Sequence, residues 1–383
     1  MKRSYLAVLG FVLGALLPNA ASEETDSKGE AKLPPWVEML SFKGDFRFRY
    51  EYLDEEEKSA RNRWRIKTRL FVGAEVNEVL DFGLQLASGE DDPVSNNQTL
   101  TEGFSPKEIW IDMAYMRYRP WKEEVDFDVY AGKFQNPFVV MSKSELLWDP
   151  DLRPEGVAFN YSRDFTDSFN YFLNAGYFAV QERSSSADAR LVGGQTGARM
   201  GLGGEASITA GAGYYDYGKL EGEATLFFPD SGEGNTVVED PGGNTFYTED
   251  YNELEVFAEL ETKLGELPFA VFGNYVKNVA ADESDEDTGW AAGLRLGEVK
   301  KPGDWGFRWY YRVLEADAVL GLFTDSDFVN GGTDGQGHEF NIDYGLAKNW
   351  TAALTYFLNE SGIAPGEEEQ DFKRLQADLQ LKF

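Results

Sequence analysis

The chain has 383 residues, with 36 Lys and Arg against 67 Asp and Glu, and its formal net charge is −31 at pH 7. It contains no Cys and a single His, His338, which excludes disulfides, thiolate metal sites and any mechanism that needs two histidines. The strong negative charge argues against a nucleic-acid partner, because a phosphate backbone would be repelled over most of the surface.

The first 22 residues have the organisation of a secretory signal. Lys2 and Arg3 precede an apolar run over residues 5–17, and small residues follow as far as Ser22. We expect residues 1–22 to be a cleaved signal peptide. A membrane anchor is the alternative, but the apolar run is shorter than the roughly 20 residues that span a bilayer. Residues 23–40 are predicted to be a periplasmic leader, and residues 41–383 a single domain.

A strict two-residue alternation begins at Phe42. In the first segment Phe46 and Phe48 alternate with Arg47 and Arg49, which predicts a strand with one apolar and one charged face. The same period recurs along the rest of the chain. It predicts about sixteen strands of roughly 8 to 15 residues each.

The connections between these strands alternate in length. Long segments such as 90–107 and 218–249 are each followed by a short one, such as 120–124 and 265–266. A soluble periplasmic sandwich or propeller is the alternative, but its inner face would be apolar, whereas here the second face carries rows of charge. The pattern predicts an all-β fold, a transmembrane antiparallel β-barrel in the outer membrane. Its short turns would be periplasmic, its long loops extracellular, and its aromatic residues would contact the membrane lipids.

Three segments carry a resemblance to a known family. Residues 375–383 end in Phe383, with apolar residues at every second position, and resemble the signal that the bacterial barrel-assembly machinery reads. Residues 132–156 and 325–340 resemble two motifs of the "putative porin" family. The resemblance implies a homotrimer of water-filled, 16-stranded barrels in which the loop after strand 5 folds inward.

The loop over residues 135–155 is the predicted pore constriction. It is too long and too apolar for a free external loop, so it should pack against another part of the protein. If it folds into the lumen, as the resemblance implies, it carries an acidic group that faces a basic wall on the first two strands. Opposed charges across a narrow aqueous opening create a transverse field that favours polar solutes. The alternative is a solvated wall neutralised by neighbouring acids. The acidic group is Glu145, Asp149, Asp151 and Glu155, and the basic wall is Arg47, Arg49, Arg63, Arg65, Lys67 and Arg69.

A second set of acids leaves the sign of ion selectivity open. Glu253, Glu255, Glu259 and Glu261 are predicted to form an acidic lumen wall. Acidic clusters also lie in predicted external loops, at residues 54–57, 282–287 and 367–369. These clusters either bind divalent cations that bridge lipids or are simply solvated, and solvation is favoured because their spacing matches no calcium loop.

The sequence therefore predicts a passive outer-membrane channel for small hydrophilic solutes and ions, with no cofactor, no metal and no catalytic residue. One alternative is a porin selective for sugars, phosphate or organic anions, in which Tyr and Trp would line the lumen. Another is an outer-membrane enzyme or adhesin on the same scaffold. His338 could then act with Glu339 or Asp343, but no nucleophilic Ser lies near it in sequence, which favours a structural role.

Overall fold

The structure, a computed structural model, describes Val37 and residues 39–383 except residues 57, 124, 185 and 283. The predicted signal peptide and most of the predicted leader lie outside the described residues. Within that part of the chain, sixteen long strands follow one another. They are β1 (Leu40–Glu55), β2 (Arg61–Asn77), β3 (Leu80–Ser88), β4 (Ile109–Tyr118), β5 (Asp126–Lys133), β6 (Glu155–Thr166), β7 (Phe169–Gln181), β8 (Ala189–Gly203), β9 (Ala206–Gly218), β10 (Tyr251–Leu264), β11 (Leu267–Asn278), β12 (Thr288–Gly297), β13 (Trp305–Leu314), β14 (Gly335–Ala347), β15 (Trp350–Ser361) and β16 (Gln370–Lys382).

The sixteen strands form one closed antiparallel barrel. Each strand pairs with its neighbours in sequence, and β1 pairs with both β2 and β16, so that Arg47 lies opposite Lys67 on one side and Gln380 on the other. Closure satisfies the backbone hydrogen bonds of every strand, which a sheet in contact with lipid requires. The predicted fold class and strand number are confirmed, and the soluble alternatives are wrong.

The alternation in the sequence corresponds to the inner and outer walls of the barrel. On β10, Leu254 and Val256 are exposed on the outer wall, whereas Glu253 and Glu255 are buried inside the barrel. Successive side chains of a strand point to opposite faces, so one register places all apolar residues of a strand on the same wall. Among the described residues, no helix is both long and apolar enough to cross a membrane.

Long loops and short turns occupy opposite rims, as predicted. Two-residue turns, such as those at 167–168 and 204–205, join strands at one rim, where no connection exceeds seven residues. The other rim carries eight loops. They are L1 (56–60), L2 (89–108), L3 (134–154), L4 (182–188), L5 (219–250), L6 (279–287), L7 (315–334) and L8 (362–369). Three further short strands lie in these loops, at Gln98–Thr99, Val237–Glu239 and Thr245–Tyr247.

Loops L3, L5 and L7 pack together inside the barrel. Leu146, Trp148, Leu226 and Leu320 are at most 3% exposed and belong to one apolar cluster with inward side chains of β7 to β13. Burial of a large apolar side chain contributes about 1.5–3 kcal/mol, so this cluster holds the three loops firmly against the wall. The sequence predicted the inward position of L3, but it did not predict that L5 and L7 would fill the lumen beside it.

Gly132 marks the point at which the chain leaves the wall to enter L3. Its φ of +123° lies in a region that L-residues with a side chain rarely adopt, and a Cβ built there would lie 2.3 Å from the carbonyl oxygen of Ala114. It pairs across the strands with Gly156, at the point where the chain returns to the wall. The two glycines therefore allow β4, β5 and β6 to approach closely at the base of L3.

We expect Gly132→Ala to destabilise the barrel by about 1–3 kcal/mol, because alanine would be strained at this φ and would contact backbone. The shift between folded and unfolded bands on a gel, followed against temperature, measures the loss. Gly194→Ala on β8 is the matched control, since no atom lies within 4 Å of a Cβ built there. An equal effect of both substitutions would contradict this account.

Candidate functional site

The predicted basic wall forms a continuous row inside the barrel. The pairing of β1 with β2 aligns Arg49 with Arg65 and Arg47 with Lys67, one above the other. Arg49, Arg65 and Lys67 are at most 8% exposed. The structure therefore brings together the basic residues that the sequence analysis grouped on these two strands.

Carboxylates from L3, L7 and the neighbouring strands pair with this row. Lys67 donates to both oxygens of Asp151, at 2.5 and 2.6 Å. Arg49 contacts Asp378 of β16 at 2.8 Å and Asp327 of L7 at 3.1 Å. The remaining members of the row are paired as well: Arg69 with Asp45 and Asp151, Arg63 and Arg65 with Glu51, and Arg47 with Asp378. The row is thus largely neutralised by carboxylates in contact with it.

Of the four predicted acids of L3, Asp151 alone pairs with the basic row. Asp149 faces L7, where its Oδ2 accepts from the backbone N–H of Ser326 at 3.1 Å. The backbone carbonyl of Glu145 accepts from Arg312 of β13 at 3.0 Å. Glu155 lies at the base of the loop, where it pairs with Lys133 at 2.8 Å and is exposed. The structure therefore divides the predicted acidic group among three locations.

The two kinds of acidic environment shift pKa values in opposite directions. Burial opposes the ionisation of Asp151, but Lys67 and Arg69 outweigh it and hold the pKa of Asp151 below its usual range. Burial raises the pKa of Glu145 and of Asp149 well above the usual range, and neighbouring carboxylates, including Asp325, add to the effect. Carboxylate oxygens of Glu145, Asp149 and Asp325 lie within 4.8 Å of one another. Protonation of Glu145 and Asp149 therefore favours the contact between L3 and L7.

We expect the thermal stability of the folded barrel to fall as pH rises above the ordinary carboxyl pKa toward the raised values of Glu145 and Asp149. A carboxyl with a raised pKa in the folded state stabilises the fold at low pH and loses that contribution as it ionises. The double variant Glu145→Gln, Asp149→Asn should flatten this dependence on the alkaline side of the ordinary carboxyl pKa. Glu155→Gln, at the first residue of β6 directly after the loop, is the control. A dependence that survives the double variant would show that other groups cause it.

The predicted acidic lumen wall on β10 is divided in the same way. Glu253 and Glu255 are at most 2% exposed beneath the loops, where Glu253 accepts from the N–H of Leu320 at 2.9 Å. Glu259 and Glu261 lie closer to the short-turn rim, and both contact Arg295 of β12. Glu253 thus holds L7 in place, Glu255 accepts from Tyr215 of β9 and Asn274 of β11, and the other two carboxylates belong to a paired wall.

Several residues at the row were not predicted from the sequence. Asp327 contacts both Arg49 and Arg374 of β16, and Asn97 of L2 accepts from Arg47 at 2.5 Å. Burial opposes the ionisation of Asp327, yet the two arginines outweigh it and lower the pKa of that carboxyl. Residues 325–340 stood out in the sequence only as a family-like motif. Only the two-residue alternation on β16 could have predicted from the sequence that Arg374 faces the lumen.

A cavity of about 1100 Å³ extends from the row toward the short-turn rim. Arg47, Arg49 and Lys67 line it together with Asp149, Asp151 and Asp327 of L3 and L7. Lysines 300, 301 and 348 lie at its far end, in the short turns. The basic row and the acids Asp151 and Asp327 therefore meet in direct ion pairs where this cavity reaches the inward loops.

His338 and Phe383, which the sequence analysis also singled out, lie away from this cavity. His338 is on the outer wall, where its Nδ1 accepts from the indole N–H of Trp309 at 3.2 Å. Phe383 is 65% exposed, and its backbone pairs with Gly44 of β1 at 2.9 and 3.0 Å. His338 is thus part of an aromatic cluster on the outer wall.

The sequence profile of the "putative porin" family matches residues 52–242 and 247–383. The chain belongs to this porin family. Its members are outer-membrane channel proteins, and the barrel, its alternating loops and its inward loops agree with that assignment. No curated protein sequence matches the chain.

Solved structures of outer-membrane proteins have the same fold. The chain is similar to OprB of Pseudomonas putida in its high-pH structure, with a TM-score of 0.56 and 12% identity over 91% of this chain and 95% of that one. The low-pH structure of OprB gives a TM-score of 0.51 with 12% identity, covering 91% and 93%. OmpT of Vibrio cholerae lacking loop L8 gives 0.51 with 11% identity, covering 90% and 100%. This porin therefore forms a channel through the outer membrane.

Proposed function

We propose that the narrow part of this channel lies beside the basic row of β1 and β2, where Asp151 and Asp327 of the inward loops pair with it. The single observation that supports the proposal is the pairing of Lys67 with Asp151 and of Arg49 with Asp327, at the wall of the 1100 Å³ cavity. A solute that passes there moves along a wall of paired positive and negative charges, whose local field attracts polar groups. Such a field favours polar over apolar solutes.

We propose passive diffusion of small hydrophilic solutes and ions, with a weak preference for cations. The basic row is compensated, whereas loops L1 to L8 contain 33 acidic and 6 basic residues. Negative charge at the external mouth raises the local concentration of cations. In this proposal the acidic clusters in L1, L6 and L8 are solvated and ionised, and their negative charge adds to the attraction of cations.

The inward-facing tyrosines of strands β9, β10 and β13 do not support the sugar-selective alternative. Tyr215, Tyr217, Tyr251 and Tyr310 face inward but are at most 1% exposed, so they offer no aromatic surface to a solute. The enzyme alternative depended on His338, which lies on the outer wall against Trp309. We therefore propose that the protein has no catalytic function and uses no cofactor.

We propose that the chain works as a homotrimer in contact with outer-membrane lipids, delivered by a signal peptide at residues 1–22 and assembled through recognition of Phe383. Membership of a porin family supports this proposal. Crosslinking of the protein in its native membrane, followed by heating, tests the trimer, because three linked chains should run as one species and separate only when the crosslinker is cleaved.

Recording in planar bilayers tests the channel itself. We expect discrete, ohmic current steps. In a KCl gradient, the reversal potential should be displaced moderately toward the equilibrium potential of potassium. Folded protein that inserts into the bilayer but carries no current would overturn the proposed function. A reversal potential close to the equilibrium potential of chloride would overturn the cation preference alone.

A further inference from the structure

A second cavity, of about 400 Å³, lies on the external side of L3. It is bounded by L2, by the end of L3, by the upper ends of β4 and β7, and by L5 and L7. Asp151 lines both this cavity and the larger one. The second cavity therefore adjoins the proposed narrow part of the channel and has the volume of a small-molecule site.

One side of the second cavity is apolar. Phe178 and Leu226 form buried parts of its wall, whereas the rings of Trp110 and Phe227 are 41% and 46% exposed. Phe227 has a φ of +62°, an unusual backbone conformation for a bulky residue. The turn of L5 thus leaves an aromatic ring at the cavity that is free to contact a further molecule.

The second cavity also carries carboxylates that have no salt-bridge partner. Glu90, Asp91 and Asp92 are consecutive in L2, and none of the three forms an ion pair with any described residue. The two basic residues at the cavity are already occupied. Arg153 contacts Asp112 at 3.2 Å and two backbone carbonyls, and Lys133 contacts Glu155 at 2.8 Å.

We propose that this cavity binds amphipathic monovalent cations, in which an apolar or aryl group carries an ammonium group. The aryl group would contact Phe227 and Trp110, and the ammonium would face the three carboxylates of L2. An ammonium group is attracted both to carboxylates and to aromatic faces, and a neutral or anionic analogue lacks both attractions. This inference rests on the proposed channel, and it adds a class of solute that the external side concentrates before permeation.

Side-dependent block of the potassium current tests the inference. Three probes are added to the external side: phenethylammonium, its neutral analogue 2-phenylethanol, and ethylammonium, which lacks the ring. Phenethylammonium should block at a concentration at least about tenfold lower than either analogue, because it alone satisfies both sides of the cavity. Equal potency of the three probes would overturn the proposal.

Variants locate the block. Asp91→Asn combined with Asp92→Asn, and separately Phe227→Ala, should each raise the half-blocking concentration of phenethylammonium about fivefold, through loss of charge and of aromatic contact respectively. Glu368→Gln is the matched control, because Glu368 is an exposed acid of L8 that does not line the cavity. Unchanged block in the Asp91/Asp92 and Phe227 variants would overturn the site.

A calorimetric titration separates this site from the channel. Phenethylammonium is titrated into the folded wild-type barrel in detergent and into the Asp91/Asp92 variant. Heat that saturates for the wild type alone supports the site even if bilayers show no current, which would be a failure of the proposed function. Identical titrations of the two proteins would overturn the inference whether or not the protein conducts.

Discussion

Replacing Arg47 by Glu is expected to displace the reversal potential of the channel strongly toward that of potassium. Arg47 lines the larger cavity, its side chain is 18% exposed, and it lies 3.8 Å from Asp378. A unit charge about 4 Å from a permeating ion contributes about 1 kcal/mol even in bulk water, so a reversal of charge can change relative permeability about tenfold. Arg47→Gln should give about half of the shift in potential.

The control for this prediction keeps the same change of charge but moves it away from the narrow part. Arg61 lies at the outer end of β2, is exposed and does not line the larger cavity. Arg61→Glu should shift the reversal potential much less than Arg47→Glu, and high salt should reduce its effect further. Equal shifts for the two variants would mean that charge at the external mouth, and not charge in the basic row, determines the reversal potential.

Replacing Arg312 by Ala is expected to release L3 from L7 and from the barrel wall. Arg312 is fully buried, donates to Asp325 at 2.8 Å and to the carbonyl of Glu145 at 3.0 Å, and packs over the ring of Phe328 at 3.7 Å. Removal of one partner of a buried ion pair costs about 3–5 kcal/mol, because the other charge is left uncompensated. We expect a lower unfolding temperature together with a larger and noisier single-channel conductance.

Two comparisons test this second prediction. Arg61→Ala removes an arginine from the same barrel without removing a contact between loops, so it should leave both measurements nearly unchanged. Arg312→Lys keeps the charge but has a single donor group in place of two, so it should lie between the wild type and Arg312→Ala. If Arg312→Ala conducts with wild-type amplitude and noise, the position of L3 does not depend on this residue.

The barrel could be predicted from the sequence because its determinants are local. A two-residue alternation fixes which face of a strand is apolar, and the alternating lengths of the connections fix which rim each loop occupies. Arg47, Arg49 and Lys67 could be grouped for the same reason, since neighbouring strands place them on one face. Strand bounds differed by a few residues, as at Glu55, where β1 extends into the predicted first loop.

The partners of these residues could not be predicted, because they come from distant parts of the chain. Asp327 and Asp378 follow Arg49 by 278 and 329 residues, and no local pattern placed L7 inside the barrel. The apolar residues of L5 and L7 also belong to no strand period. Leu226 and Leu320 are buried because two long loops pack on each other inside the barrel, which depends on its closure.

Modification of a single introduced cysteine tests the location of the narrow part most directly. The chain contains no Cys, so Arg47→Cys and Tyr177→Cys each provide one reactive thiol, the first in the larger cavity and the second on the outer wall, where Tyr177 is 57% exposed. Conductance is recorded in two sets of channels. One set is treated with a positively charged methanethiosulfonate reagent and the other with a negatively charged one. We predict that both reagents reduce the conductance of Arg47→Cys and shift its reversal potential in opposite directions, with no effect on Tyr177→Cys. Complete labelling of Arg47→Cys, verified by mass spectrometry, without any change in current would contradict the assignment of the pore to the basic row.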